Sequence, residues 1–307
     1  MSGPGKTRGK GDYTKLGEAS EPAFVRLPEP NTMFAARAAR LSALAEGNPL
    51  GPYLAFLSRL VSVQHAAQAA LPPVPRLPEP RLAQRLQLAM PPLSSDVLAE
   101  GGGFAAALDW ISRHAARSDA PAEAEQARAR LLAMAGPERL ALAESIFEAA
   151  YPAERLGESL YVAAALQVHL ARHAARLEAA RLRPVGDGAC PACGRAPVAS
   201  VVVDWAGAGR ARYCCCSLCG TMWNYVRIKC TFCGGTGDIA YYTVEEGSGE
   251  VAVETCEACG TYAKHLHQHK NPQLEPFADD IASFGLDVLV REKGFRRGAL
   301  NPFMVVG

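Results

Sequence analysis

Cys190-Pro-Ala-Cys193-Gly194 and Cys216-Ser-Leu-Cys219-Gly220-Thr221, with 22 residues between Cys193 and Cys216, return as Cys230-Thr-Phe-Cys233-Gly234 and Cys256-Glu-Ala-Cys259-Gly260-Thr261 with the same gap. The offset is 40 residues throughout, and Gly207 and Gly209 map onto Gly247 and Gly249, giving nine identities over the 32 positions from 190 to 221. A shared register of this kind marks an internal duplication. Two thiolates separated by two residues can chelate one ion if the chain folds back on itself, and the following Gly permits a positive-φ turn that aims amides at sulfur. Between the paired knuckles, Ala199 to Trp205 and Arg210 to Cys215 flank Gly207-Ala-Gly209 in the first copy, and Ile239 to Val244 and Glu250 to Thr255 flank Gly247-Ser-Gly249 in the second. Each copy therefore reads as strand, turn, strand.

Two knuckles brought together by a hairpin give tetrahedral four-thiolate coordination, the geometry of structural zinc ribbons and of rubredoxin-type iron sites. The expected ligand sets are Cys190, Cys193, Cys216 and Cys219 for one ion and Cys230, Cys233, Cys256 and Cys259 for a second. All ten cysteines lie between Cys190 and Cys259. The N-terminus carries Lys6, Arg8, Lys10 and Lys15 with no apolar stretch behind them, so it does not read as a signal peptide and a cytoplasmic location is expected. In a reducing compartment, clustered Cys-x-x-Cys pairs mean metal or redox chemistry more often than disulfides. Cys214 and Cys215 fall outside the repeat, their equivalents being Glu254 and Thr255. They read either as small residues on a strand or as a reactive thiol or substitute ligand. A cysteine region of about 75 residues has little apolar core, so it is expected to be unfolded without metal.

Outward from the repeat the composition changes. Residues 1–32, rich in Gly, Lys, Pro and Glu without hydrophobic periodicity, read as a mobile tail. Residues 33–185 are dominated by Ala, Leu and Arg at helical spacing and read as a helical domain. Phe56, Leu60 and Val63 form one stripe, Leu142, Ile146 and Ala149 another, and Leu166, Leu170, Ala174 and Leu177 a third. Pro72, Pro73, Pro75, Pro78, Pro80, Pro91 and Pro92 and the run Gly101-Gly102-Gly103 divide the region into about six helices. Residues 186–227 and 228–269 are the two metal ribbons, and 270–307 a C-terminal helix and tail. That helix, Pro276 to about Glu292, carries Phe277, Ile281, Phe284 and Val288 on one face and Asp279 and Asp280 near its positive end, and the apolar stretch Asn301 to Val306 is expected to dock on the body. The expected fold is α+β: an N-terminal all-α bundle, two tandem rubredoxin-like or zinc-ribbon-like β modules, and a C-terminal helix.

Charge and motif content narrow the function. With 32 basic against 31 acidic residues the chain carries +1, so no global field holds a nucleic acid or an anionic membrane, and no run approaches the length of a membrane span. Between its knuckles the first ribbon has Arg195, Arg210 and Arg212 against Asp204, whereas the second has Asp238, Glu245, Glu246, Glu250 and Glu254 and no base. An acidic hairpin repels phosphate, which argues against a zinc-ribbon nucleic-acid-binding protein. No P-loop, dinucleotide fingerprint or Gly-x-Ser-x-Gly elbow is present, which speaks against an independent enzyme. His169 and His173 read as structural, His265, His267 and His269 as solvent-facing residues of an exit strand, and Lys293, Arg296 and Arg297 as a solvated basic surface.

Cys190-Pro-x-Cys193-Gly with Pro197-Val-Ala-Ser-Val-Val202, the four knuckles, Ala278-Asp-Asp-Ile-Ala282, Gly294-Phe and Leu300-Asn-Pro-Phe303 together resemble the formate dehydrogenase accessory protein family, FdhE. The likeness is specific from about Cys190 to Phe303 and general over the helical half. It implies a cytoplasmic, non-catalytic factor needed for maturation or activity of formate dehydrogenase, with rubredoxin-like iron sites and the catalytic subunit of that enzyme as partner. Iron is thus favoured over zinc by resemblance, although tetrahedral thiolates accept both. A rubredoxin-like electron carrier is the alternative. The Cys214-Cys215-Cys216 run departs from the usual single knuckle thiol, and oligomeric state is not encoded in these patterns.

Overall fold

Proline and glycine cut an Ala- and Leu-rich chain into helices short enough to pack around one another. The computed structural model describes residues 21–116, 120–205, 209–243 and 248–304. Residues 1–20 of the expected tail, and Gly207, Val244, Glu245, Glu246, Gly247, Val305 and Val306, lie outside the described residues. Among the described residues the helical half contains α1 (Pro30–Ala45), α2 (Gly51–Ala70), α3 (Glu79–Gln87), α4 (Asp96–Ala99), α5 (Gly103–His114), α6 (Ala122–Ala133), α7 (Gly136–Phe147) and α8 (Leu156–Ala174), more pieces than the six expected. Proline occupies the first turn of α1, α2, α3 and α7, where its fixed φ suits the helix and its missing N–H is not needed. α8 is the axis: α1, α2, α5, α6 and α7 pack around it, and its small Ala163-Ala164-Ala165 segment is buried with the rest of the turn. Its apolar residues therefore bury all round rather than on one stripe. α7 ends at Phe147, so Ala149 leaves the stripe expected of it and is exposed, with φ 62°.

The first cysteine copy folds as β2 (Pro197–Trp205), β3 (Gly209–Cys216) and β4 (Met222–Asn224), and the second as β5 (Ile239–Tyr242), β6 (Val251–Cys256) and β7 (Thr261–Leu266). Within each copy the strands are antiparallel neighbours. The copies are fused where β2 pairs in parallel with β7, Ser200 opposite His265 and Val201 opposite Leu266. With β1 (Val25–Arg26) on the outer edge of β4, one sheet runs β1-β4-β3-β2-β7-β6-β5, and β8 (Arg296–Arg297) pairs with β7 off that path. The two expected ribbon modules are thus joined into one sheet. The tail expected over 1–32 includes ordered chain: Val25 is buried opposite Trp223, and α1 already starts at Pro30. A segment too short for periodicity gains its strand from a non-local partner.

The C-terminal helix is broken in two, α9 (Ala278–Ala282) and α10 (Phe284–Glu292), at Ser283, whose φ −94° and ψ 26° leave the helical region. The break resets the buried face: Phe277 and Ile281 are buried before it, Leu286 and Val290 after it, and Val288 is exposed. Beneath these helices Lys264 of β7 lies 3.3 Å from Asp280 and 2.5 Å from Asp287, both carboxylates also meeting Arg297. Arg297 is therefore not part of a solvated surface. Two bases against two acids make a balanced interior set, the condition under which buried charge is tolerated. The end of the chain does lie on the body: Phe303 is buried, and Tyr53 donates to its carbonyl at 2.5 Å.

Candidate metal centres

The four knuckles adopt one local conformation. Gly194, Gly220, Gly234 and Gly260 all have φ between 65° and 76°, a region only glycine enters without strain. The chain doubles back so that Gly194 N–H donates to Cys190 O at 2.8 Å, Gly234 to Cys230 O at 3.1 Å and Gly260 to Cys256 O at 2.9 Å. The hairpins then bring knuckle to knuckle. In the first cluster the Sγ atoms of Cys190 and Cys219 are 3.6 Å apart, those of Cys193 and Cys216 3.3 Å, and those of Cys193 and Cys219 3.5 Å. In the second, Cys230 and Cys259 are 3.8 Å apart and Cys233 and Cys256 3.7 Å. Within each set of four, the sulfurs lie within 4.8 Å of one another. A tetrahedron with metal–sulfur bonds of about 2.3 Å has sulfur–sulfur edges of about 3.8 Å, so both sets fit one ion each. They are too far apart for disulfides, whose bond is about 2.05 Å, and all ten cysteines are free.

Hydrogen bonds reach the sulfurs in both copies, the amide donors lying on the second knuckle of the first copy and the first knuckle of the second. Leu218 N–H donates to Cys216 Sγ at 3.5 Å and Phe232 N–H to Cys230 Sγ at 3.4 Å. Cys219 Sγ donates to Thr221 Oγ1 at 3.2 Å, and Cys259 Sγ and Thr261 Oγ1 share a hydrogen bond at 2.9 Å. Burial, ahead of hydrogen bonding among the thiols, pushes Cys190 and Cys193 well up, whereas Cys216 is held well down because bonds from its three neighbours and the Leu218 amide outweigh burial. In the second cluster burial pushes Cys256 up to about 12, while Cys259 falls to about 7 against burial through Thr261 and then the neighbouring thiols.

The surroundings are not alike. Cys190, Cys193, Cys216 and Cys219 are buried and belong to the same apolar core as α8. Gln167 of α8 donates to Ser217 O at 3.2 Å, Arg195 to Phe147 O at 2.7 Å, and Leu93 N–H to Ala192 O at 2.9 Å, so the helical body closes over both knuckles. In the second cluster Cys230 and Cys256 are buried, Cys259 is half-buried and Cys233 is exposed. Cys214 and Cys215 are buried on β3 outside both clusters, Cys214 Sγ lying 3.6 Å from Ser200 Oγ.

Several charged residues stand elsewhere than the sequence suggested. Arg212 and Glu254, counted above toward opposite surface charges, are buried and pair with each other, Nη1 to Oε2 at 3.1 Å and Nη2 to Oε1 at 3.2 Å. His265 is buried rather than solvent-facing, its ring edge to face with Tyr241 at 5.5 Å and its Nε2 3.3 Å from Glu254 Oε2. His267 and His269 are half-buried, ring against ring at 5.1 Å. His169 and His173 pack edge to face at 4.6 Å in the helical core, His169 Nε2 lying 3.0 Å from Val97 O. Among the described residues only the two cysteine sets bring three or more possible metal-ligating residues together. The signal for the Arg212–Glu254 pair was a lone charge inside the run Ala211-Arg-Tyr-Cys-Cys-Cys216, since a charge in a strand covered on both faces must find an opposite partner.

Three family models match the chain in succession: "FdhE, N-terminal" over residues 22–187, "FdhE, central domain" over 189–227 and "FdhE, C-terminal domain" over 228–304. Among similar proteins, "Protein FdhE homolog" of Rhizobium meliloti (strain 1021) is 39% identical over 297 residues, covering 96% of this chain and 97% of that one. "Protein FdhE homolog" of Pseudomonas putida is 32% identical over 297 residues, covering 94% and 92%. The crystal structure of the FdhE protein from Pseudomonas aeruginosa superposes with a TM-score of 0.82 at 31% identity, covering 92% of this chain and 98% of that one. No helix among the described residues is long and apolar enough to cross a membrane.

Proposed function

The chain belongs to the FdhE family, and from that membership we propose that it is a non-catalytic accessory protein required for maturation or activity of formate dehydrogenase. It binds the catalytic subunit of that enzyme in the cytoplasm through its helical body and its two cysteine modules. The eight cysteines of the two sets hold two metal ions, with iron favoured and zinc the other candidate. The helical body (33–185), the ribbons (186–227 and 228–269) and the C-terminal part (270–307) act as the functional divisions, a reading supported by the succession of three family segments. The observation that carries the metal reading is the pair of sulfur sets whose 3.3–3.8 Å spacings already match a tetrahedral site.

When bound, the ion supplies cross-linking of the hairpin and, if it is iron, a one-electron couple. The chain's own residues hold it with eight sulfurs, tune those sulfurs through the Leu218 and Phe232 amides and the Thr221 and Thr261 hydroxyls, and exclude water from the first set. An affinity capture with formate dehydrogenase catalytic subunit, run with and without oxygen, tests the accessory role. Co-elution and loss of formate oxidation on deletion are expected; no association together with unchanged formate oxidation overturns it. A second reading, a rubredoxin-like electron carrier, is favoured by one observation: Cys233 is exposed, giving a partner access to a coordinating sulfur. Anaerobic purification with metal analysis decides it, since a colourless protein containing two zinc ions carries no electron.

A further inference from the structure

One row of polar side chains crosses the sheet from the first cysteine copy to the second. Arg212 on β3 donates through Nε to Ser200 Oγ on β2 at 3.0 Å. Its guanidinium then meets Glu254 on β6, which also lies 3.3 Å from His265 of β7 and accepts from Tyr241 of β5 at 2.8 Å. Five strands are thus tied on one face. The same guanidinium reaches the segment that links the copies: Nη1 lies 3.1 Å from Lys229 O, 3.3 Å from Val226 O and 3.4 Å from Arg227 O, sharing its two N–H groups among these carbonyls and Glu254 Oε2. Tyr225 completes that grip, donating to Cys230 O at 3.1 Å while its own amide donates to Arg212 O at 3.0 Å.

These contacts fall at informative places. Arg212 stands four residues before Cys216 on one strand, so successive alternate positions put both on the same face. Lys229 immediately precedes Cys230, and Glu254 stands two residues before Cys256 on its strand. One side chain anchored in the first copy therefore fixes the approach to both halves of the second cysteine set. Only a planar fork with five donors can serve a carboxylate and the linker carbonyls together. The second set needs such support because two of its own members are not enclosed: Cys233 is exposed and Cys259 half-buried.

We propose that the Arg212–Glu254 ion pair couples the two metal sites, Arg212 acting as a positioning residue that pre-forms the second site from within the first copy. The inference rests on the reading of the cysteine sets as metal sites. An ion in the first set fixes the end of β3, and with it the guanidinium that holds the Cys230 and Cys256 segments in register. Linkage makes the effect reciprocal, so an ion in the second set also favours occupancy of the first.

The test uses full-length protein loaded with two equivalents of Zn2+ and challenged with an excess of colorimetric chelator. Wild-type protein is expected to release metal in two phases, a fast one from the second site and a slow one from the enclosed first site; Cys233→Ser removes the fast phase and so identifies it. Arg212→Lys keeps a cation opposite Glu254 but cannot span the linker carbonyls, and is expected to accelerate the fast phase on the order of tenfold with the slow phase unchanged. The double variant Arg212→Met, Glu254→Gln removes both charges together and should behave in the same direction, which covers loss of folding in any single variant. If both variants release metal with wild-type kinetics, or accelerate both phases equally, the coupling is overturned while the metal reading stands. If wild-type protein retains no metal, both fall.

Discussion

Cys190, Cys193, Cys216 and Cys219 are walled in by the core around α8, whereas the second set, built on the same knuckles, presents Cys233 to solvent and half-exposes Cys259. The two copies share their glycine turns, their Thr-to-sulfur contacts and their sulfur spacings. What differs is the company they keep. Gln167, Phe147 and Leu93 belong to the helical half and close over the first set only. Coordination geometry is thus a property of the duplicated motif, and accessibility is a property of the tertiary neighbourhood. An enclosed site serves the fold, and an open one can exchange its ion or meet a partner.

The largest effect that would break this comparison is complete metal removal. Each structural four-thiolate site contributes on the order of 10 kcal/mol to its own folding, so the apo chain should lose protection of β2–β7 while helicity around α8 persists, read by hydrogen exchange and far-ultraviolet circular dichroism. A sheet that stays protected without metal would show that the shared core alone supports it. Next come single ligand changes. Cys219→Ser should lower the stability of the whole chain by about 3–5 kcal/mol, because it leaves a polar group inside the core that includes α8. Cys233→Ser should cost the second ion and leave the helical transition in place. Equal thermal shifts in the two variants would erase the distinction drawn here.

A smaller effect probes the junction between the copies. Gly188 has φ +64°, and a Cβ there would lie 1.7 Å from the carbonyl oxygen of Thr231, inside the third knuckle. Gly188→Ala should destabilise by about 3 kcal/mol and loosen the second ion before the first, measured as chelator-dependent metal release. The smallest effect separates acid loss of the helical body from acid loss of metal. Burial, helped by His173, pulls His169 from 6.5 down to about 4. The unfolded chain takes up that proton below about 6.5 and the native state not until about 4, so this contribution is complete above 6.5 and lost as pH falls through the window. It amounts to roughly 3 kcal/mol. His169→Gln should shift the acid limb of helical unfolding to lower pH without changing the pH at which metal is released; coincident shifts would tie the two events together.

The hairpins and both sulfur sets were legible because they depend on local rules: Gly after each pair, a fixed 40-residue offset, and strand runs flanking glycine turns. The union of the copies through β2 and β7 was not, since Ser200 and His265 are 65 positions apart and parallel pairing leaves no turn to read. That missed union also misplaced His265, Arg212 and Glu254, which became interior residues once the strands were joined. The helix break at Ser283 was hidden because Phe277, Ile281, Phe284 and Val288 keep a continuous helical period through it. Lys264, Asp280, Asp287 and Arg297 illustrate the same limit: charges separated in sequence are legible as surface until a partner is found for each.

The parallel seam joins the first strand of one copy to the third strand of the other, and a head-to-tail union of that kind is open-ended. A further unit could add its third strand to β5 or its first strand to β4 by repeating the seam. The two-residue strand Val25–Arg26 already occupies the β4 side in antiparallel register. A short piece of chain from outside the duplication thus closes the β4 end of an otherwise extensible ladder.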